Sequence, residues 1–595
     1  MPDNLYASFR ESASRNSHRT ALMFKRQGRY VTMTYGESVR EINLLAARLK
    51  QIGVAKGDAI GVLSCNRPEW VMTDLAALQI GAVVIPIYPT SSSSTVKYMI
   101  LDSKMKLLVI ENAALLAMVS DMRRELSDLE ECILIDPTGA DARSEFLTFD
   151  KMREPMRDTN AQEADVSPED VATVVYTSGT TGEPKGVVLT HANILSNVQA
   201  MTSRYQITSD DVILSYLPLC HMFERTCGYY AMLFSGATIA YAESISTVAK
   251  DVLDVRPTIL LAVPRVVEKA FEHAVQEVAQ NSQMKQWLVS QTIFSLNKRA
   301  DLRYRGQRVP PGLRLRCVLL DKTIAAKFRK IGGGRLRIIA SGGAPLDRKV
   351  AKAYYVLGYN LVEGYGLTET SPVVCSNGIS DNTLGTVGKP VQGVQVRIGD
   401  NNEVLVKGPN VMRGYFNKPE ETVLAIDREG WFHTGDQGRF DARGNLIITG
   451  RIKDLIVTSY GKNVAAAAIE ARIARSPYVS QVMLYGDRRK YLVALLIPRR
   501  SAIEEYANNE GITWGTYEAL LNHDRVRSLI AGEIEAATAD CAPFEKVKAF
   551  ALIAEEFTQE SGCLTPLLKL RRSLVADRYR SVIEALYETP EGRQT

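Results

Sequence analysis

Strand-like and helix-like stretches take turns through most of this 595-residue chain. Asp58-Ala59-Ile60-Gly61-Val62-Leu63 reads as a strand, Pro68 to Leu78 as a helix after a turn, and Ala82-Val83-Val84-Ile85 as a strand again. A helix opens with Val96 to Leu101, and Leu107-Leu108-Val109-Ile110 is the next strand. That alternation predicts α/β layers with mainly parallel sheets. No short period recurs, which disfavours a solenoid or propeller. The length suggests about three or four structural units, too many for one ordinary core.

The texture changes near 385–450. Val394 to Ile398, Glu403 to Lys407 and Leu446 to Thr449 are short strand-like runs separated by turn pairs such as Asp400-Asn401 and Arg443-Gly444. They predict a small antiparallel, barrel-like region before a boundary. Beyond Gly450 the pattern restarts with the strand Leu455 to Thr458, the helix Ala465 to Ala474, and the strands Val479 to Leu484 and Tyr491 to Ile497. The expected organisation is a large N-terminal α/β domain over 1–450, a hinge at 451–454, and a smaller α+β domain over 455–595.

Residues 176–187, Tyr-Thr-Ser-Gly-Thr-Thr-Gly-Glu-Pro-Lys-Gly-Val, carry the sharpest chemical signal. They follow the β-branched run Val171 to Tyr176, a buried strand by pattern. Thr177, Ser178, Thr180 and Thr181 supply hydroxyls, Gly179, Gly182 and Gly186 let backbone N–H groups approach a ligand, and Lys185 adds an ammonium. Together they form a phosphate cradle. A Walker A loop needs Gly-Lys followed by Ser or Thr, whereas Lys185 follows Pro184 and precedes Gly186, so a P-loop ATPase or kinase is disfavoured. A hydroxyl-rich surface loop is the plain alternative.

Composition narrows the setting. At 46% hydrophobic and 23% charged the chain is close to globular averages, which excludes wholesale disorder. A net charge of +5 is too mild to argue for nucleic acid. The eight cysteines are scattered without a Cys-x-x-Cys pair, so neither a zinc site nor a disulfide framework is expected, and a reducing cytoplasm fits. Met1-Pro2-Asp3-Asn4 lacks the marks of a signal peptide, and the most apolar window, Leu75 to Ile87, is too short to span a bilayer. One local excess stands out: thirteen Lys or Arg against Asp301 and Asp321 between Lys298 and Arg337, interleaved with Leu, Ile, Phe and Tyr. It is either a solvated helical face or a patch for an anionic membrane, with nucleic acid a weaker choice.

Four further segments bear chemistry. Ser341-Gly342-Gly343-Ala344-Pro345 follows the apolar run Leu336 to Ala340, and its small residues let backbone edges meet a planar ring, although a strand-to-helix turn reads as readily. In Glu363-Gly364-Tyr365-Gly366-Leu367-Thr368-Glu369-Thr370, Tyr365 can stack on a base, Thr368 can donate to phosphate, and Glu369 can hold Mg²⁺. The plainer reading is a turn after a strand Asn360 to Glu363. Trp431 to Asp436 sets a carboxylate beyond a tight turn, where it can accept both ribose hydroxyls. Gly450-Arg451-Ile452-Lys453-Asp454 lies at the boundary, with Arg451 available to ribose or phosphate and Lys453 at a hinge.

In order and spacing these five segments resemble the adenylate-forming (AMP-binding) superfamily. The resemblance runs over essentially the whole chain and is closest to long-chain fatty acyl-CoA synthetases. It is carried further by Pro86 to Ser92, Leu217-Pro218-Leu219-Cys220-His221-Met222-Phe223-Glu224-Arg225, Gly430 to Asp436 and Leu564 to Arg572. It implies ATP-dependent formation of acyl-AMP, with release of pyrophosphate, then transfer to CoA. Mg²⁺ would be held by Glu369. Lys569, Glu369, Thr180 and Lys185 would be catalytic. Thr177, Ser178, Gly179, Thr181 and Gly182, Gly343 to Pro345, Glu363 to Gly366, Thr368, Asp436, Arg451, Lys453 and Gly461 would contact nucleotide or CoA. His221 would border the acyl site; His433 reads as structural.

The resemblance also implies a mobile C-terminal domain that turns about Lys453, withdrawing Lys569 and presenting the Gly461 segment to the CoA thiol. The chain departs from the pattern at Ala465-Ala466-Ala467-Ala468, where a proline is common, and at Cys563 and Leu567, which are usually polar. Rival readings are a fatty acyl-AMP ligase or acyl-carrier-protein synthetase, a medium-chain or aromatic-acid CoA ligase, and a non-enzymatic binder. Expected partners are fatty acid, ATP and CoA, and a peripheral contact with an anionic membrane through 298–337 at its inner face; nucleic acid is not expected, and a homodimer is left open.

Overall fold

The structure is a computed structural model that describes residues 3–141, 146–155, 163–177, 184–279, 282–304, 307–452, 455–460, 462–558, 561–564 and 570–588. The chain forms two compact units. The first comprises Met1–Ile398, Leu405–Thr434 and Phe440–Ile447; the second comprises Gly399–Val404, Gly435–Arg439 and Ile448–Thr595.

The first unit carries two large sheets. The eight-stranded one runs in the order Gly414–Tyr415, Lys185–Thr190, Val171–Thr177, Val83–Ile87, Ala59–Leu63, Leu107–Asn112, Glu131–Asp136, Leu147–Thr148. Its central strands pair in parallel, and only Lys185–Thr190 runs antiparallel to its neighbours, Val171–Thr177 and the edge strand Gly414–Tyr415. Helix Pro68–Gln79 precedes strand Val83–Ile87, and of its twelve residues only Glu69 escapes full burial. A helix so covered cannot be amphipathic, which is why Leu75 to Ile87 is the most apolar window of the sequence. Among the described residues no helix is long and apolar enough to cross a membrane.

The nine-stranded sheet is parallel through Val212–Ser215, Thr238–Tyr241, Ile259–Ala262, Ile338–Ser341 and Leu361–Gly366, then antiparallel at Val373–Ser376. The segment 363–366 is therefore not a turn. The strand expected to stop at Glu363 continues to Gly366 because Gly364 and Tyr365 pair with Ser376 and Cys375.

The antiparallel texture near 385–450 resolves into strands Gln395–Ile398, Glu403–Lys407, Phe432–Phe440 and Leu446–Arg451, which form one four-stranded sheet. Asp436 does not lie beyond a turn, as expected from Thr-Gly-Asp, but inside the nine-residue strand Phe432–Phe440. Gly435 adopts φ of +68°, a left-handed kink within the strand that imitates a turn signature.

In the second unit, strand Leu492–Pro498 is central, antiparallel to Val479–Tyr485 and parallel to Val547–Leu552. Its alternate side chains feed two cores. Leu492, Ala494 and Leu496 join Ile469, Ile503, Val526 and Ile530 on one face. Val493, Leu495 and Ile497 join Phe557, Val575 and Ile583 on the other.

Candidate active site

The hairpin of Val171–Thr177 and Lys185–Thr190 brings both ends of the phosphate-cradle loop together: Tyr176 faces Gly186 and Thr177 faces Lys185. Thr177 Oγ1 donates to the Lys185 carbonyl at 3.4 Å. Ser178, Gly179, Thr180, Thr181 and Gly182 lie outside the described residues, as do Lys453, Gly461, Leu567 and Lys569.

On the outer side of the hairpin, Gly414 and Tyr415 pair with Val188 and Val187, and Phe416 N donates to the Gly186 carbonyl at 2.7 Å. Gly186 leaves room for this approach, since a Cβ there would lie 2.7 Å from Val174 Cγ1 and 3.1 Å from Phe416 Cβ. The Lys185 ammonium sits over the Tyr415 ring, 5.2 Å from its centroid, and forms an ion pair with Glu421 on helix Pro419–Ala425. The Tyr415 hydroxyl donates to Glu369 Oε1 at 3.0 Å. Lys185 and Glu369, assigned to phosphate and cation from separate segments, thus meet across one tyrosine.

Glu369 stands on the 3₁₀ turn Thr368–Thr370 that follows strand Leu361–Gly366. The turn is pinned by Leu367 N donating to Thr370 Oγ1 at 3.0 Å and by Met412 N donating to the Glu369 carbonyl at 2.8 Å. Gly366 has no room for a side chain: a Cβ would fall 1.8 Å from the Pro372 carbonyl oxygen. Glu363, on the same strand, is half-buried, and burial pushes its carboxyl up to about 7 against the backbone N–H groups of Gly385 and Leu346.

Ser341 ends strand Ile338–Ser341, and Gly342 to Pro345 lead toward helix Arg348–Val356, so this segment is a strand-to-helix connection. Gly343 takes φ of +84°, and a Cβ built on it meets nothing within 4 Å; on Gly342 it would meet the Phe223 ring at 3.5 Å. At Gly343 the edge borders open space, and at Gly342 it lies against the Phe223 ring.

Asp436 is buried and accepts from Arg451 Nε at 2.8 Å. Strand Phe432–Phe440 buries every second position, and its buried phase holds Thr434 and Asp436 where a structural strand would hold apolar residues. His433 falls on the exposed phase, 3.9 Å from Asp427.

His221 is half-buried and its Nδ1 accepts from Phe223 N at 3.2 Å. It precedes a helical stretch, Glu224–Tyr230, buried throughout. There Arg225 pairs with Asp74, donates to Thr173 at 2.8 Å and stacks between Trp70 and Tyr230. The Tyr229 and Tyr230 hydroxyls donate to Asp74 at 2.9 and 2.7 Å. A buried ion pair is tolerable only when so fully hydrogen-bonded. Next to it, burial pushes the Glu224 carboxyl up to about 8. Glu224 Oε1 and the Tyr216 and Tyr241 hydroxyls have no hydrogen-bond partner among the described residues.

Reading the sequence missed Tyr415, Glu421 and Asp74. The run Arg413-Gly414-Tyr415-Phe416-Asn417-Lys418-Pro419-Glu420-Glu421 offered a signal, an aromatic ahead of a proline-led acidic helix start, but its partners lie far away in sequence.

The family model described as AMP-binding enzyme matches residues 9–416, and that of the AMP-binding enzyme C-terminal domain matches residues 453–591. Long-chain-fatty-acid–CoA ligase FadD15 of Mycobacterium tuberculosis is 34% identical over 569 residues, covering 94% of this chain and 93% of its own. Long-chain-fatty-acid–CoA ligase 1 of Homo sapiens is 30% identical over 591 residues, covering 94% of this chain and 83% of its own. The crystal structure of the anthranilate CoA ligase AuaEII with anthranoyl-AMP superposes with a TM-score of 0.74 at 19% identity, covering 98% of this chain and 99% of that one, a likeness of fold.

Proposed function

We propose a reaction for this chain from the premise that it belongs to the AMP-binding enzyme family: it activates a long-chain fatty acid with ATP and passes the acyl group to CoA. The chain is an AMP-forming long-chain fatty acid–CoA ligase. A carboxylate is a poor acyl donor because its leaving group would be oxide. Its oxygen therefore attacks the α-phosphorus of ATP, the bond to the β-phosphate breaks, and pyrophosphate leaves with the electron pair. The CoA thiolate then attacks the acyl carbonyl and AMP departs.

The observation that carries the site assignment is the convergence of Lys185 and Glu369 on Tyr415. Lys185 and Thr177, with the 178–182 segment, hold the departing pyrophosphate, mainly by positioning and charge neutralisation. Mg²⁺ would be held by Glu369, whose carboxylate stands on the turn beside the Lys185–Tyr415 pair; this cation is commonly held by one or two carboxylates plus phosphate oxygens and water. When bound it neutralises phosphate charge. The Gly342-Gly343-Ala344-Pro345 edge and Tyr365 take the adenine, with Glu363, Gly364 and Gly366 shaping that wall. Thr368 donates to phosphate, and Asp436 with Arg451 receives the ribose.

His221 borders the acyl group. Lys569 stabilises charge at the α-phosphate in the first half-reaction, and the 451–454 segment, with Lys453, is the hinge that exchanges it for the Gly461 segment in the second. A fatty acid of this length partitions into bilayers, so the reading includes a peripheral contact with an anionic membrane.

The test is palmitate-dependent ATP–pyrophosphate exchange, followed by thioester formation with CoA as the sole acceptor. Both are expected. Exchange without CoA thioester would instead make the protein a ligase for a carrier protein. No exchange with any acid in a length series would overturn the reading.

A further inference from the structure

Helix Gln283–Tyr304 and helix Pro311–Leu320 lie side by side in the first unit. Arg316 donates to Gln291 at 2.9 Å, and the Cys317 thiol donates to the Ser295 carbonyl at 3.4 Å. Their inner faces are ordinary: Val289, Leu296 and Cys317 join the core with Phe328 and Ile339. Their outer faces are not. Met284, Trp287 and Phe294 are 75%, 58% and 62% exposed on the first helix; Leu315, Val318 and Leu319 are 64%, 44% and 58% exposed on the second.

These are not scattered residues. Positions 284, 287 and 294 fall on one side of a helix, as do 315, 318 and 319. An amphipathic helix buries such a stripe, and here each helix carries a second one turned to solvent. Large apolar side chains gathered on one side of each helix and left exposed mark an interaction site.

Charge identifies what the site meets. From Gln283 to Leu320 there are eight Lys or Arg and a single acid, Asp301, which is tied to Lys352 at 2.8 Å. Lys298, Arg314 and Arg316 border the apolar side chains and are exposed, as is Lys322 just beyond. Among the described residues Lys298, Arg314 and Lys322 have no carboxylate partner. A protein partner with an apolar face would be met by apolar residues with mixed charges around them. Unbalanced cations around exposed Trp, Phe and Leu match a bilayer whose headgroups are anionic and whose acyl boundary takes the apolar side chains. Trp287 suits the interfacial depth, where an amphipathic ring is favoured.

We propose that the paired outer faces of helices Gln283–Tyr304 and Pro311–Leu320 dock this enzyme on anionic lipid bilayers, from which its substrate is drawn. The proposal rests on the fatty-acid reading above for its purpose but not for its physics, and the two fail separately.

The full-length protein is sedimented with vesicles of phosphatidylcholine alone and with about one-third phosphatidylglycerol, at low and high salt. Binding is expected only to the anionic vesicles, falling as salt screens the surface. Arg314→Gln with Arg316→Gln is expected to weaken it roughly thirty-fold, and Leu315→Ser with Leu319→Ser to abolish it. Brominated lipid is expected to quench tryptophan fluorescence in the wild type and not in Trp287→Phe. All these variants are expected to retain ATP–pyrophosphate exchange with palmitate supplied in detergent, which shows that they fold. Equal binding to neutral vesicles, binding that survives the substitutions, or a dimer in solution that the same substitutions dissolve would overturn the proposal. Loss of exchange in the wild type would strike the ligase reading and leave the docking result standing.

Discussion

Glu421 already offers Lys185 a carboxylate, so on the proposed assignment of Lys185 a triphosphate has to compete with it. Both side chains are partly exposed, which limits the pair to about 1 kcal/mol. Glu421→Gln is therefore expected to lower the KM for ATP by up to about fivefold with kcat little changed, whereas Lys185→Ala raises it by more. Initial rates over an ATP series decide this; an unchanged KM in Glu421→Gln would show that the pair does not restrain the cradle. Glu224 poses the reverse problem, a carboxyl with too little to satisfy it. Its folded value near 8 lies above the ordinary 4.5, so the stability it allows is complete below about pH 4.5 and lost as pH rises through 8. Unfolding by denaturant at pH 6 and pH 9 is expected to show the wild type losing up to about 3 kcal/mol that Glu224→Gln retains. A parallel loss in both proteins would assign the slope to other groups.

Elements were legible where their signal is local. The strands 59–63, 83–87 and 107–112 announce themselves as short apolar runs, and the helix 68–79 by its proline start and length. What hid was decided at a distance. Strand 361–366 outruns its apolar run because Val373–Ser376 comes back to pair with it, and no pattern inside Glu-Gly-Tyr-Gly reveals that partner. Thr-Gly-Asp predicts Asp436 just beyond a tight turn, yet Gly435 takes its left-handed φ inside strand Phe432–Phe440. The site followed the same rule: Lys185, Glu369 and Asp436 stand in recognisable motifs, while Tyr415 and Glu421 matter only through contacts made in space. Gly366→Ala tests one of these long-range constraints. The added methyl cannot coexist with the Pro372 carbonyl, so the strand or the turn bearing Glu369 must shift. We expect a stability loss of about 3 kcal/mol or more by calorimetry together with loss of exchange activity. A variant that melts and turns over like wild type would show that the turn tolerates displacement.

At the scale of the molecule, the two half-reactions should separate by residue. Lys569→Ala is expected to abolish acyl-AMP formation while leaving thioesterification of supplied acyl-AMP largely intact, and Lys453 substitutions to do the opposite; quenched single-turnover assays of each half distinguish them. Equal loss in both halves would end the assignment of Lys569 to the first step. Strand Leu492–Pro498 bears on a different property, how freely this molecule can drift. All seven of its positions are buried, with a separate core on either side, whereas Phe432–Phe440 shows every second residue to its surroundings. In a saturation library the second strand should tolerate change at alternate positions and the first at none. Slow variation at the centre of the C-terminal unit would then be a record of packing on both of its faces.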